Sequence, residues 1–243
     1  MRSVALLLIA GCGRIGLDAA ADAPRADAPV DAAPFCAGRP DGTPCDDRNI
    51  CTATSVCVAG ACGITPAPTC QVADSMADFT MVQGANGWRY GFWDISADAD
   101  GVYAQSELQE LVELGNAWRP PDWAAMPDPH FTWAYLLSWG GHPGSYPIRR
   151  APIRRWTSTV AGDAIVRVSH AKADTSGGDG TRAVLVVDGV TLLARDVAGD
   201  DGVGFVEDVP VTLAIGSQVD LMLHYIGDDA IDTTNQRMVI LSR

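Results

Sequence analysis

Hydrophobic residues in the last two-thirds of the chain fall into short runs that turn residues separate. The strongest local signal is Asp188-Gly189 between two apolar, β-branched runs, because a type I′ turn requires positive φ at both central positions. Both arms are apolar at nearly every position, so we expect both in the middle of a packed β-structure. Runs of this kind predict strands at 156–160, 164–170, 182–188, 190–196, 209–215, 219–225 and 237–241.

An aromatic segment and a tryptophan-rich stretch precede these strands. Trp88, Tyr90 and Phe92 would share one face of a strand. Residues 118–147 are rich in Trp, Pro and Gly, which predicts long ordered loops. Many short strands without a strand–helix–strand alternation predict a mainly β fold, a jelly-roll-like antiparallel β-sandwich over residues 72–243.

Residues 103–114 allow two interpretations, a helix and a curved strand. Leu108, Leu111 and Val112 have helical spacing, and Gly115 would end that helix. Three glutamates would then form its solvated side rather than the carboxylate pair of a glycosidase. They are Glu107, Glu110 and Glu113. The pattern leaves both interpretations open.

The first residues resemble the signal peptide of a bacterial lipoprotein. A short basic start is followed by an apolar run, far shorter than the roughly 20 residues that cross a bilayer, and small residues precede Cys12. The resemblance implies that residues 1–11 are cleaved off and that Cys12 is lipidated. The alternative is an ordinary signal peptide with an incidental cysteine. We therefore expect an exported protein, lipid-anchored at the outer membrane or cell surface.

Two segments of different composition follow. Residues 12–35 repeat Ala, Asp and Pro, which predicts a flexible, extended linker without fixed structure. Residues 36–71 hold an even number of cysteines, and an exported protein meets an oxidising compartment, so we expect three disulfides of undetermined connectivity. The cysteines are Cys36, Cys45, Cys51, Cys57, Cys62 and Cys70. This segment lacks both a Cys-x-x-Cys pair and a histidine, which disfavours zinc.

The text of residues 36–71, with its Asp-Gly-Thr-Pro-Cys and Gly-Ala-Cys motifs, resembles a small cysteine-rich repeat of bacterial surface proteins. The resemblance implies a stalk or an interaction module. The formal net charge of the whole chain is −13, which argues against nucleic acid or an anionic membrane surface as a partner.

The later part of the chain resembles a jelly-roll module of secreted bacterial proteins, similar to galactose-binding-like, carbohydrate-binding-type β-sandwiches. The resemblance extends over roughly 78–242. Its motifs, in order, are Asn86-Gly87-Trp88, Gly141-His142-Pro143, Arg154-Arg155-Trp156, Gly178-Asp179-Gly180 and Asp188-Gly189. It implies a polysaccharide or other glycan as the ligand, with a specificity that varies with the aromatic and acidic residues of the loops.

Sugars present apolar C–H faces and a ring of hydroxyl groups, which proteins meet with flat aromatic rings and a few polar side chains. Trp118, Trp123 and Trp139 lie in sequence typical of loops and are the best candidates for rings on which a sugar stacks, whereas Trp156 should belong to the core. His142, in a Gly-Gly-His-Pro-Gly loop, is a further candidate ligand-binding residue.

Arg149, Arg150, Arg154 and Arg155 form a basic cluster in an acidic protein, and Arg154 and Arg155 are candidate ligand-binding residues. Guanidinium groups bind carboxylates and sulfates through paired hydrogen bonds, so a uronic or sulfated glycan is one interpretation. The other is pairing with aspartates of the same chain, which the resemblance favours.

Acidic turns indicate calcium as a possible structural ion. Carboxylates and backbone carbonyls supply the six to eight oxygens that calcium prefers, but Asp and Gly are also common in turns without an ion. The candidate ligands are Asp174, Asp179, Asp228 and Asp232.

No catalytic motif is present: neither Gly-x-Ser-x-Gly nor His-Glu-x-x-His occurs. The sequence thus predicts a lipid-anchored, non-catalytic surface protein whose sandwich binds carbohydrate. Two alternatives remain, an adhesion or scaffold protein that binds another protein, and a glycan-active hydrolase or lyase. An exposed apolar patch would favour the first, and two carboxylates facing each other in a cleft would favour the second.

Overall fold

The computed structural model describes residues 36–45, 52–66, 70–125 and 134–242. These residues form β-strands, loops and three short 3₁₀ turns, and no helix among them is long and apolar enough to cross a membrane. The expected signal peptide, the lipidation site Cys12 and the linker lie outside the described residues.

Sixteen strands make up the described part. In chain order they are β1 (Thr52–Val58), β2 (Ala61–Pro66), β3 (Cys70–Asp74), β4 (Trp88–Asp94), β5 (Gln109–Glu110), β6 (Val112–Leu114), β7 (Ala117–Arg119), β8 (Tyr135–Leu137), β9 (Gly140–His142), β10 (Arg150–Thr157), β11 (Gly162–Lys172), β12 (Thr181–Val187), β13 (Val190–Val197), β14 (Phe205–Leu213), β15 (Gln218–Tyr225) and β16 (Thr234–Ser242).

Two antiparallel sheets face each other. The smaller sheet has the order β13-β12-β15-β10-β4-β5, and the larger has the order β14-β11-β16-β9-β8-β7-β6, with β3 also paired to β16. A separate hairpin joins β1 and β2. The predicted fold class, a mainly β antiparallel sandwich, is confirmed.

Large aromatic side chains fill the space between the sheets. Trp88 and Tyr90 on β4 and Trp156 on β10 are almost fully buried, and Trp156 lies directly opposite Trp88 in the strand register. Each such side chain removes an area of about 150–250 Å² from water, which makes this cluster the largest single contribution to the core. The expectation that Trp156 belongs to the core is confirmed.

The hairpin predicted at Asp188-Gly189 is present, with φ of 46° and 81° at its two central residues. Its second arm differs from the prediction. β13 is the edge strand of the smaller sheet, and Val190 and Leu192 are 58% and 42% exposed. Only Leu193 and Val197 turn inwards, so the interpretation that both arms lie in the middle of the structure is wrong for β13.

Residues 103–147 contain more strands than the sequence predicted. The segment with helical spacing forms a 3₁₀ turn at Gln105–Glu107 and then the short strands β5 and β6, so the strand interpretation is the correct one. The stretch interpreted as long loops contributes β7, β8 and β9 to the larger sheet. These strands have only three residues each, too few to show an alternating pattern.

Disulfides staple the segment that precedes the sandwich. Cys36 is bonded to Cys57 and Cys45 to Cys62, and Cys70 is also disulfide-bonded. Among the described residues, the one group of potential metal ligands that converges is Cys36, Cys45 and Cys62, and all three are committed to these disulfides. The remaining predicted disulfide cysteine, Cys51, lies outside the described residues.

Candidate functional site

Four loops meet at one end of the sandwich, at the positions where β9, β11, β13 and β15 end. These loops are in close backbone contact. A Cβ atom on Gly178 would lie 2.5 Å from the Ala230 carbonyl oxygen, and one on Gly199 would lie 2.0 Å from the Gly178 carbonyl oxygen. Glycine at both positions therefore lets the loops pack together. The four loops are 143–149, 173–180, 198–204 and 226–233.

A cleft of about 420 Å³ opens between three of these loops. Its walls combine an exposed aromatic ring, an imidazole, two carboxylates and short apolar side chains. The lining residues are His142, Tyr146, Asp174, Asp229, Ala230, Ile231 and Thr233. This mixture of one flat ring with a few convergent polar groups is typical of small-molecule sites.

Tyr146 supplies the exposed ring. It is 66% exposed, and Ile231, at 43%, is another exposed apolar side chain of the cleft. The neighbouring Ser145 hydroxyl donates a 2.5 Å hydrogen bond to Oδ1 of Asp229, which ties the loop that carries Tyr146 to the loop that carries Asp229. The side chain of Tyr146 is thus mostly exposed at the cleft, while the neighbouring residue anchors its loop.

His142 forms part of the cleft wall and is 4% exposed. Its ring stacks on Tyr135 at a centroid distance of 5.8 Å, and its Nδ1–H donates to the Pro143 carbonyl oxygen over 2.6 Å. Burial lowers the pKa of His142, although the hydrogen bond to Pro143 and the charge of Asp229 oppose that shift. The imidazole is therefore neutral at pH 7, and with Nδ1 protonated its Nε2 is a hydrogen-bond acceptor.

Asp174 and Asp229 are the two carboxylates of the cleft. The Ser176 hydroxyl and backbone N–H both donate to Asp174 Oδ1, which lowers the pKa of Asp174. Asp229 is partly buried, and its Oδ2 atom is fully covered and accepts no hydrogen bond from the described residues. The site therefore presents hydrogen-bond acceptors rather than a proton donor.

A buried ion pair supports the cleft from below. The ammonium of Lys172, the single lysine of the chain, lies 2.6 Å from both Asp232 Oδ1 and the Ile231 carbonyl oxygen. Both charged side chains are fully buried. Burial raises the pKa of Asp232, and the Lys172 ammonium opposes that shift. The pair holds the backbone of Ile231, which lines the cleft.

A chain of polar side chains continues from this ion pair into the core. The Asp232 carbonyl oxygen accepts from the Thr234 hydroxyl, which lies 3.1 Å from the Thr181 hydroxyl, and Thr181 contacts His170 Nε2 at 2.9 Å. Burial lowers the pKa of His170 to about 4, so this imidazole is neutral at pH 7. Gln236 lies 3.3 Å from its other nitrogen. The loop end thus rests on a layer of hydrogen-bonded polar side chains inside the sandwich.

The three candidate platform tryptophans do not line this cleft. Trp118 is 2% exposed and stacks on Tyr90 at 5.0 Å, so the prediction of a ligand platform is wrong for Trp118. The Arg119 guanidinium covers the ring of Trp123 at 4.2 Å. Trp139 is partly exposed and lines a different cleft, of about 320 Å³, on the outer face of the larger sheet.

Arg154 and Arg155 are internal, so neither meets a ligand in this structure. Arg154 is fully buried, and its Nη2 donates to the carbonyl oxygens of Leu137 and Gly140. Burial lowers its pKa to about 10. Arg155 forms two 2.7 Å hydrogen bonds to Asp220 under the loop that follows β4. Intramolecular pairing was therefore the correct interpretation for Arg155, whereas Arg154 binds backbone carbonyls instead of an aspartate.

The four predicted calcium ligands lie in neighbouring loops but do not converge on one point. Each serves a local role: Asp174 binds Ser176, Asp179 Oδ2 accepts from the N–H of Asp228, Asp228 Oδ1 accepts from the N–H of Ala230, and Asp232 binds Lys172. Within the described part of the chain, no group of three carboxylates has its oxygens close enough to share an ion. Calcium stays a prediction.

The sequence predicted two residues of the cleft: His142 as a ligand-binding residue and Asp174 as a calcium ligand. It did not predict Tyr146 or Asp229. Tyr146 follows Gly144-Ser145 and precedes Pro147, a sequence that marks a loop, and loops lie at the surface. That signal was available for Tyr146. Nothing in the local sequence separates Asp229 from its neighbour Asp228.

No family model and no curated protein matches this chain. Among solved structures, it is similar to a CBM51 module from Clostridium perfringens solved with methyl-galactose, with 13% identity and a TM-score of 0.31 over 40% of this chain and 72% of the other. It is also similar to a family 35 carbohydrate-binding module from Clostridium thermocellum, with 14% identity and a TM-score of 0.26 over 41% and 80%. A third is the K3 cleaved adhesin domain of Lys-gingipain from Porphyromonas gingivalis, with 13% identity and a TM-score of 0.34 over 72% and 99%. At these values the likeness carries no statement about a ligand of this chain.

Proposed function

We propose that this protein binds carbohydrate, without catalysis, in the cleft at the loop end of the sandwich. The observation that carries the proposal is the exposed ring of Tyr146 beside the carboxylates of Asp174 and Asp229. The C–H face of a pyranose ring would stack on Tyr146, and its hydroxyl groups would donate to the carboxylates.

Binding fits the electrostatics of the cleft better than glycoside hydrolysis. A glycosidase needs one carboxyl group that keeps its proton, which requires a raised pKa. The pKa of Asp174 is instead lowered by its hydrogen bonds to Ser176. Asp232, the carboxyl group with a raised pKa in this region, is fully buried against Lys172 and does not line the cleft.

Protein binding is the second candidate, because apolar side chains are exposed on the outer face of the larger sheet and on the adjoining loop 198–204. Met76, Val203 and Val206 are 39%, 90% and 66% exposed, and they surround the cleft that Trp139 lines. Such a patch fits a protein partner better than a sugar, since Arg237 within it is already paired with Asp74.

An exported, lipid-anchored location belongs to the same proposal. The disulfides Cys36–Cys57 and Cys45–Cys62 support it, because disulfides persist in oxidising compartments outside the cytoplasm. Cys12→Ser should move the expressed protein from the membrane fraction to the soluble exported fraction. Unchanged partitioning would show that Cys12 is not the anchor.

A glycan panel tests the binding proposal. The full chain should bind at least one neutral or amino-sugar oligosaccharide in isothermal titration, and Tyr146→Ala should weaken that binding about tenfold, equivalent to ~1.4 kcal/mol. Tyr146→Phe should retain it, because the ring face is kept. Trp139→Ala is the matched control, since its cleft is separate. If Trp139→Ala abolishes binding and Tyr146→Ala does not, the site is on the outer face of the larger sheet.

A further inference from the structure

We propose that the cleft selects glycans that carry a protonated amine, such as oligomers of glucosamine, over their N-acetylated, neutral and uronic counterparts. This inference rests on the proposed function, because it names the sugar class for the same cleft. Two features support it: the excess of carboxylates at the loop end of the sandwich, and the buried Oδ2 atom of Asp229.

The loop end of the sandwich is strongly acidic. Its described loops carry these carboxylates: Asp174, Asp179, Asp200, Asp201, Asp228, Asp229 and Asp232. These loops carry one basic side chain, Arg149, and a second, Lys172, ends the strand β11 beside them. Lys172, at the base of these loops, is fully buried in its pair with Asp232, and Arg149, where the first loop enters β10, interacts electrostatically with His224. Neither residue lines the cleft, and although the charge of Lys172 acts on His142 and Asp174, the paired Asp232 carboxylate opposes it, so the carboxylates dominate the field that a ligand meets.

Asp229 is the carboxylate of the cleft with an oxygen atom that lacks a hydrogen-bond donor among the described residues. Its Oδ1 accepts the Ser145 hydroxyl, but its Oδ2 is buried and has no hydrogen-bond donor among the described residues. A covered carboxylate oxygen without a donor costs free energy, because its lost hydration is not replaced. This oxygen is covered in the present structure, so a ligand donor reaches it only when the Asp229 side chain turns towards the cleft; an ammonium group then forms a stronger, charge-assisted hydrogen bond than a hydroxyl does.

The walls around Asp229 match the rest of an amino sugar. Tyr146 offers a ring for the C–H face, and Ala230 and Ile231 add apolar surface. An N-acetyl group would lose the positive charge that Asp229 and Asp174 attract. A uronic carboxylate would meet like charges in a partly desolvated cleft, which is unfavourable. Arg154 and Arg155, the arginines considered above as ligands for an anionic sugar, are buried inside the sandwich.

Titration of the full chain with matched oligosaccharides tests the inference. At about pH 5.5, above the ordinary aspartate pKa of about 3.9, glucosamine oligomers should bind at least tenfold more tightly than N-acetylglucosamine oligomers of the same length, and polygalacturonate should bind weakest. Added salt should weaken the binding of the amine oligomers far more than that of neutral ones. This salt dependence requires no variant.

Two variants assign the preference to Asp229. Asp229→Asn keeps an oxygen for Ser145 and should reduce the ratio of the two affinities to near one, whereas the matched control Asp228→Asn, from the same loop, should retain most of it. Equal affinity for amine and N-acetyl oligomers, with binding still sensitive to Tyr146→Ala, would overturn this inference and leave the proposed function standing. Absence of binding to every glycan would overturn both.

Discussion

Replacing Lys172 with methionine should destabilise the protein by about 3–5 kcal/mol, because it leaves the Asp232 carboxylate buried without its counter-ion. The Lys172 ammonium lies 2.6 Å from Asp232, and both side chains are fully buried. The substitution also removes the donor to the Ile231 carbonyl oxygen. Because a domain is typically stable by about 5–15 kcal/mol, this loss is a large share of the total.

Urea unfolding followed by tryptophan fluorescence measures this effect. With an m-value of about 2 kcal/mol/M, the midpoint should fall by about 2 M. Arg167→Met is the matched control, because Arg167 and Asp208 form an ion pair that is 46% and 41% exposed, and such pairs contribute under about 1 kcal/mol. Lys172→Met combined with Asp232→Asn should recover part of the loss. If Lys172→Met costs no more than Arg167→Met, the ion pair does not hold the loop end together.

Three further predictions follow from other buried groups. The pKa of His170 is about 4 in the folded protein and about 6.5 in the unfolded chain, so the unfolded chain binds the proton first. The free energy of unfolding should therefore fall by about 3 kcal/mol as the pH drops from about 6.5 to 4. Urea midpoints at pH 7 and pH 4 check this, and His170→Gln should lessen the fall. Gly140→Ala should cost over about 2 kcal/mol in the same assay, because its Cβ would lie 1.9 Å from the Thr234 carbonyl oxygen, whereas Gly144→Ala, with its nearest neighbour at 3.3 Å, should cost less. Chelation tests the predicted structural calcium: a fall of the melting temperature in calorimetry would support it, and an unchanged melting temperature would show that the predicted ligands act separately, through the hydrogen bonds described above.

The sequence predicted the fold where strands were long enough to show their period. β11, β12 and β15 each have seven or more residues, and all three were recognised. β7, β8 and β9 were missed, because three residues cannot show an alternating pattern and their text is rich in Trp and Gly. Pairing with neighbouring strands, rather than local propensity, makes these segments extended.

The alternation of side chains along β10 predicts that Arg154 is buried, although an arginine is usually expected at the surface. Arg154 lies two positions before Trp156 on the same strand, so both face the same side of the sheet, and a core tryptophan implies a buried arginine. His142 could be predicted from its glycine-rich surroundings. Asp229 could not, because its role depends on the packing of Ser145, 84 residues away in the chain.

The place where β3 enters the larger sheet has a mechanical consequence. Cys70 lies opposite Ser242 at one end of β16, whereas the cleft lies beyond Thr234 at the other end, about 30 Å away for a nine-residue strand. A pull between the chain before Cys70 and a ligand held in the cleft would draw β3 lengthwise along β16. Strands loaded in this direction share the force among all their hydrogen bonds at once, and the ion pair of Asp74 with Arg237 shares it too. Under such a load, a ligand in the proposed site would be held without the sheet opening bond by bond.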